Sequence, residues 1–474
     1  MTKRLNQLFV SGLLTTGLLI SSTSNSETLL EVYQQALQND HQFRAAQAQY
    51  EAGKELKNLG RAGLLPKINA QGNWSESETD SSGFQQNPID GATDLSNPDQ
   101  YERKYSETTI DSSSSGYSAS LVQPIFDLAA WHGFKAGSKQ AQIAEATFKA
   151  DQQDLIIRTA TAYFDVLKAI DSYNTAVAEE TAFEHQLKQT KQRFEVGLTA
   201  ITEVHEVKAA YDSAMAARLL AEGQAGIAFE ALEVITGHPY NQLNPLRTEF
   251  PVSHPIPTER QAWVEQALQN NFSLERARLN AGAAKHQAKE AKAGHYPKLT
   301  GSVIYNKNDE QTANNILDPY SDNEIDTQVF KLELSVPIYN GGATSASRRR
   351  ANKLYIAADE EYKKAQRDTI QAARSTHLSA TTAVATVTAR KQAITSSRSA
   401  LEATQAGYDV GTRDLVDVLQ AQRNMYLAER NYYEALYAYV LFKLQLKQVA
   451  GTLTEEDIVE LDQWLDKSKP VSRI

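Results

Sequence analysis

His205-Glu206 has the opening of a zinc-hydrolase helix, in which a second histidine one turn on completes the ligand pair and the glutamate activates water. That position, 209, is Ala, so the second ligand is missing. No glycine-rich loop ending in Lys-Ser/Thr is present to cradle a phosphate, and any transport energy must come from a partner. The Cys count is zero, which removes disulfides, thiolate metal sites, cysteine nucleophiles and N-terminal lipidation together. With no catalytic constellation, metal-ligand set or cofactor motif, the chain reads as a non-enzyme that needs no cofactor.

Charge narrows the partners. Lys+Arg 48 against Asp+Glu 58 leaves a net −10 with no long basic block, a poor match for nucleic acid. The short run Arg348-Arg349-Arg350 suits either a solvated helix face or lipid headgroups. At the N-terminus Lys3 and Arg4, the apolar run 8–20 and the small polar tail 21–26 have the layout of a secretory signal peptide covering 1–26. The run is short for a membrane anchor. A mean hydropathy of −0.48 excludes a bundle of membrane-spanning helices.

The elements that carry these residues are organised as two copies of one unit. Ala36-Leu37-Gln38-Asn39-Asp40 recurs 231 positions on as Ala267-Leu268-Gln269-Asn270-Asn271, and Pro66-Lys67-Ile68 as Pro297-Lys298-Leu299. Gln123-Pro124-Ile125-Phe126 matches Val336-Pro337-Ile338-Tyr339, and Phe194-Glu195-Val196-Gly197 matches Tyr408-Asp409-Val410-Gly411. The repeats span 27–236 and 259–450. A proline-rich connection, 237–258, separates them, and a tail, 451–474, follows.

Each repeat reads helix, strand, loop, strand, helix, turn, helix. A first helix is predicted over 28–63, and Pro66 ends it. The period then changes to two: Ile68, Ala70, Gly72 and Trp74 share one face, as do Leu299, Gly301, Val303 and Tyr305. Polar stretches 76–115 and 306–328 are predicted as flexible loops between four short strands. Unbroken helical patterns follow over 127–196 and 343–410, each about 105 Å long. Helices of about 37 residues over 28–63 and 200–236 stack to the same length, and those over 259–294 and 414–449 repeat this. Each helical hairpin therefore runs to a distant tip and back, and the connection and the tail share the seam between short helices. Gly133 and Gly137 fit either close helix packing or a softened bend at the strand exit.

Hairpins of that length cannot bury their apolar stripes alone. Strands of about 10 residues tilted near 40° cross about 25 Å, the apolar height of an outer membrane. Alternation by itself favours a soluble half-buried sheet, but the secretory segment, the adjoining helices and Trp74, Tyr117, Phe126, Trp131, Tyr305 and Tyr339 near strand ends shift the balance to a membrane. Four strands leave two open edges that hydrocarbon does not tolerate, so copies must associate, in two, three or more. A membrane-anchored trimeric coiled-coil stalk, structural or adhesive, is the competing design, though a stalk has no need of helices that return.

Residues 151–167 (DQQDLIIRTATAYFDVL), 192–202 (QRFEVGLTAIT) and 407–413 (GYDVGTR) resemble the TolC-type outer-membrane efflux protein family, and the likeness extends over the mature chain apart from the extracellular loops. The resemblance implies a mainly α fold with a β-barrel, in which three chains form a 12-stranded barrel continued by a 12-helix periplasmic tunnel. It implies an exit duct for efflux and type I secretion, lodged in the outer-membrane lipid of a Gram-negative cell. Its partners would be a periplasmic adaptor protein and an inner-membrane ABC or proton-driven pump. It places a periplasmic gate at Thr202, Glu203, Tyr408, Arg413 and Asp417, beside tip turns at Gly197 and Gly411. Glu203 stands where the family usually has Asp, and Gln420 where a second acidic ring is expected, with Asp414 as the nearest substitute. Arg413 would reach a neighbouring carboxylate or tyrosine.

Overall fold

The computed structural model describes residues 27–91, 96, 98–247, 249–314 and 321–474. The secretory segment assigned to 1–26 lies outside them. Thr28 opens helix α1 (Leu29–Asn39) through a capping box with Glu31, which satisfies two amides that no helical carbonyl reaches. One helix was expected over 28–63, but the chain breaks at Asp40 and continues as α2 (His41–Ala62). The cause is a side chain: the Asp40 carboxylate accepts the Phe43 N–H at 2.6 Å and starts a new helix. Arg158 pairs with the same carboxylate at 2.6 Å. Burial opposes ionisation of Asp40, yet the bonds from Arg158 and Phe43 outweigh it and hold the carboxyl below its ordinary value.

Strands β1 (Lys67–Pro88) and β2 (Tyr101–Phe126) form the first hairpin, and helices α3 (Leu128–Glu195) and α4 (Ile201–Thr236) follow. The short strand β3 (Gln242–Leu243) lies in the connection. A second series then runs α5 (Arg260–Asn270), α6 (Phe272–Ala293), β4 (Lys298–Asn314), β5 (Ser321–Ser335), α7 (Ala343–Asp409) and α8 (Leu415–Ala450). Asn271 repeats the action of Asp40, accepting the Leu274 N–H at 2.9 Å between α5 and α6. The tail holds α9 (Glu455–Asp462) and β6 (Val471–Ser472).

The strands are longer than expected: 22, 26, 17 and 15 residues for β1, β2, β4 and β5. Most of both predicted loops is hairpin. Antiparallel pairing satisfies the backbone without apolar side chains, and serine and threonine rows pair across it, as in Ser75 with Ser114 and Ser77 with Ser112. Absence of hydrophobic alternation therefore concealed the strands. The sheet order is β1-β2-β4-β5, every pair antiparallel, which leaves β1 and β5 as its edges.

Register makes one face apolar. Ile68 faces Leu121, Leu121 faces Val303 and Val303 faces Phe330, a row that crosses all four strands. Leu299 and Leu334 extend it. Trp74 starts a polar continuation through Ser115, Asp309 and Glu324. The apolar band thus occupies only the part of each strand next to the helices.

The chain separates into two compact units, each made of discontinuous stretches. One holds the described residues up to Arg44 with Asp151–Ala267 and Ala372–Ile474; the other holds Ala45–Ala150 and Leu268–Gln371. The first contains the core: Tyr163, Phe164, Phe183, Phe229, Tyr240 and Tyr439 are its largest fully buried side chains. Within it, β3 pairs with β6, and Arg247 donates its N–H to the Trp464 carbonyl at 2.9 Å, so the connection and the tail meet directly. The second unit contains the sheet. There α2 and α3 approach closely, and a Cβ on Gly137 would stand 2.5 Å from the Leu56 carbonyl oxygen. Close packing, the first of the two readings of Gly137, is the one observed. Gly133 meets only ordinary contacts. None of the described helices is long and apolar enough to cross a membrane, a criterion that does not bear on strands.

Candidate gate at the helical turns

The turns between α3 and α4 and between α7 and α8 are built alike. Each long helix ends in a glycine with positive φ, Gly197 at 78° and Gly411 at 79°, a conformation that costs other residues energy. Leu198 N–H reaches back to the Arg193 carbonyl and Thr412 N–H to the Gly407 carbonyl, both at 2.8 Å. These bonds satisfy helix-end carbonyls and reverse the chain. Asp414 then caps α8 by accepting the Asp417 N–H at 2.9 Å.

Behind the turns lies an apolar cluster of Phe183 and Leu187 from α3, Val204, Val207, Ala210 and Ala214 from α4, and Leu415 and Leu419 from α8. Tyr408, near the end of α7, packs against it. Its hydroxyl donates to Glu203 Oε2 at 3.3 Å, and the Arg193 guanidinium lies 5.1 Å from its ring centre. One side chain thereby joins the α7–α8 hairpin to both helices of the α3–α4 hairpin. Burial raises the phenol above its ordinary value against the pull of Arg193, and the Glu203 charge adds to the rise. Tyr408 therefore stays a neutral donor throughout the physiological range.

The remaining expected residues divide. Arg413, in the turn before α8, pairs with Asp417 in the first turn of that helix at 3.3 Å, so it does not join Tyr408 and Glu203. An exposed pair of this kind contributes about 0.2–1 kcal/mol. Thr202 is exposed beside Glu203. The amide of Gln420 donates to Asn424 at 2.9 Å. Asp414 and Asp417 thus stand together at the start of α8, with Asp414 committed to its cap.

Sequence reasoning missed the contacts that extend this link along the hairpins. Tyr426 donates to the Ala178 carbonyl at 3.1 Å, Arg430 lies 3.7 Å from Glu179, and Tyr437 donates to Asp171 at 2.5 Å. Arg218 bridges Glu180 at 2.5 Å and Glu222 at 2.8 Å. Tyr426 and Tyr437 are 11 residues apart, three helical turns, which places them on one face of α8. That spacing was the available signal.

Asp171 makes this ladder sensitive to pH. Burial raises its carboxyl from 3.8 to about 6, against the bond from Tyr437, which lowers it. The folded state binds this proton more tightly than the unfolded chain does. The contribution is complete below about pH 4 and is lost as pH rises through about 6. Asp171→Asn is expected to flatten the decline in thermal midpoint between those pH values; equal slopes in both proteins would show an ordinary carboxyl.

Among the described residues no His, Asp and Glu group is arranged to hold a metal ion. The comparisons agree with the architecture. The family described as "Outer membrane efflux protein" matches residues 32–238 and 263–452. The chain is 36% identical to Outer membrane protein TolC of Vibrio cholerae over 98% of its own length and 100% of that protein. It is 28% identical to the Proteases secretion protein PrtF of Dickeya chrysanthemi, covering 94% of this chain and 92% of that one. The solved Campylobacter jejuni CmeC outer membrane channel superposes with a TM-score of 0.70 at 15% identity over 98% of both chains, which is a likeness of fold. Long helices that turn at matched glycines, a four-stranded sheet with an apolar band, and sequence identity over almost the whole length have one common reading: this chain belongs to the outer membrane efflux protein family and is an outer-membrane exit duct.

Proposed function

We propose that three copies close a 12-stranded barrel in the outer membrane and continue it as a 12-helix periplasmic tunnel. The passive duct is closed at its tip by Tyr408, Glu203, Thr202, Arg413 and Asp417 and is opened by an adaptor protein and an inner-membrane pump. The open sheet carries this reading. Its edges, β1 and β5, have no partner strand among the described residues, and backbone left unpaired in hydrocarbon costs several kcal/mol per group. Support comes from α4, where Leu220, Ile227 and Val234 are all exposed at heptad spacing, a seam shaped for another helix. The family's efflux name and the relative named for protease secretion support export as the role, with drugs, amphiphiles or proteins as the cargo proposed. In this reading the repeats 27–236 and 259–450 are the two structural units of each protomer, joined by 237–258 and finished by 451–474.

The duct is tested by purifying the mature chain in detergent, measuring the oligomer's mass and recording ion currents across planar bilayers. A trimer that conducts is expected. A monomer, or a trimer that inserts without conducting as a stalk would, sinks the proposal.

A further inference from the structure

The sheet-bearing unit holds a feature that the duct leaves unused. Where α6 and α7 run side by side, they enclose a groove of about 470 Å3 lined by Lys285, Lys289 and Lys292 of α6 and by Arg348, Arg349 and Tyr355 of α7. The lysines recur at i, i+4 and i+7, so one face of α6 presents three ammonium groups. No carboxylate lines the groove, and none of its five cations forms an ion pair with another described residue. Some cations elsewhere on the same helices are matched, as in Arg278 with Glu275 and Lys363 with Asp359, but these five converge on one groove without a carboxylate. Five unmatched cations around one concavity make an anion site.

Position identifies the anion's source. Lys292 is in the last turn of α6, immediately before β4, and Arg348 follows the start of α7 by five residues. Ile338 and Tyr339, 94% and 85% exposed, lie between the end of β5 and Arg348. The chain therefore passes from apolar strand through an exposed aromatic to cations, the order of a membrane crossed from hydrocarbon to headgroup. Along α6 the lysines lie within about 12 Å of the helix end. Headgroup layers are about 5–7 Å thick, and lysine stems reach the remainder by lying along apolar surface.

We infer that the α6–α7 groove binds the phosphodiester headgroup of an anionic phospholipid in the periplasmic leaflet. Arg348 and Arg349 offer planar forks suited to phosphate oxygens, while the lysines supply mobile point charges. The bound lipid would fix the height of the barrel in the bilayer at the point where strands become helices. This inference rests on the proposal that the sheet spans the membrane.

The test uses the full mature protein in neutral detergent, titrated with phosphatidylglycerol or phosphatidylcholine of identical acyl chains and read by native mass spectrometry. Phosphatidylglycerol is expected to bind preferentially. The combined variant Lys289→Gln, Arg348→Gln, Arg349→Gln is expected to weaken it about a hundredfold, whereas Arg350→Gln, outside the groove, leaves it unchanged. Equal binding of the two lipids, or full binding by the combined variant, overturns the inference. Displacement by inorganic phosphate at concentrations that leave the acyl chains irrelevant also overturns it and marks a soluble-anion site. Should the combined variant fail to assemble, Lys289→Arg with Arg348→Lys keeps the charge and must retain the preference; its loss counts against the headgroup. Wild-type protein that conducts in bilayers but shows no lipid preference refutes this inference alone, whereas failure to insert refutes the membrane-spanning sheet.

Discussion

Replacing Tyr408 and Arg413 together by Ala and Ser is expected to raise single-channel conductance sharply, because it removes the side chain that makes polar contacts with both helices of the facing hairpin at the turns. In each chain Tyr408 contributes a hydroxyl bond to Glu203 and a ring under Arg193. A hydrogen bond of this kind is worth about 0.5–1.5 kcal/mol, and an exposed cation–π contact about 0.5–1 kcal/mol. Taking about 1 kcal/mol per chain, the three copies of the proposed trimer would bias the tip by about 3 kcal/mol, a roughly hundredfold change in the ratio of closed to open forms. Tyr408→Phe keeps the ring and loses only the hydroxyl, so it should give an intermediate current. Arg413→Ser alone should do least within a chain, since its observed bond is to Asp417 of the same α7–α8 hairpin. Planar-bilayer recordings distinguish these cases. Unchanged conductance in the double variant would remove Tyr408 from the gate.

Tyr163→Ala is expected to destabilise the protein by about 3–5 kcal/mol, the range for emptying a buried aromatic site. Tyr163 on α3 is fully buried; its ring meets Phe164 edge-on, and its hydroxyl donates to the Asn244 carbonyl at 2.6 Å. The same oxygen accepts the Asn244 N–H at 3.2 Å. A single hydroxyl thus fastens the connection between repeats to the middle of a 68-residue helix. Burial drives its ionisation well above the ordinary value, so it remains neutral at any working pH. Tyr163→Phe should cost about 1–3 kcal/mol, the penalty of leaving buried backbone groups unpaired. Denaturant titration of both variants checks the order. Near-wild-type midpoints would mean that the connection is held by other contacts.

The contrast between helices and strands explains what could be read in advance. The bounds of α3, α4, α7 and α8 were legible because proline, glycine and helical periodicity act locally. The ends of β1 and β2 were not, because their polar halves are held by pairing with each other. The breaks at Asp40 and Asn271 were legible in principle: one short polar residue recurs at the same place in both repeats, but its capping action competes with a helical pattern that continues on either side. At the tip, motif likeness indicated Tyr408 and Glu203, which the fold brings into contact. It did not indicate Arg193, whose part depends on packing against a helix more than 200 residues later in the chain.

Chain order has a consequence for biogenesis. The core-bearing unit begins before Arg44 and is finished by residues after Ala372, so it cannot be completed until synthesis has ended. The β1–β2 and β4–β5 hairpins close between sequence neighbours and can form early. The seam that joins them, where Phe126 meets Leu299, has to wait for all the helical chain between. Until β4 emerges, such a polypeptide displays the unpaired edge of its first hairpin. Nonsense mutations near the end, which leave the core-bearing unit unfinished, should therefore yield aggregates in place of shortened ducts.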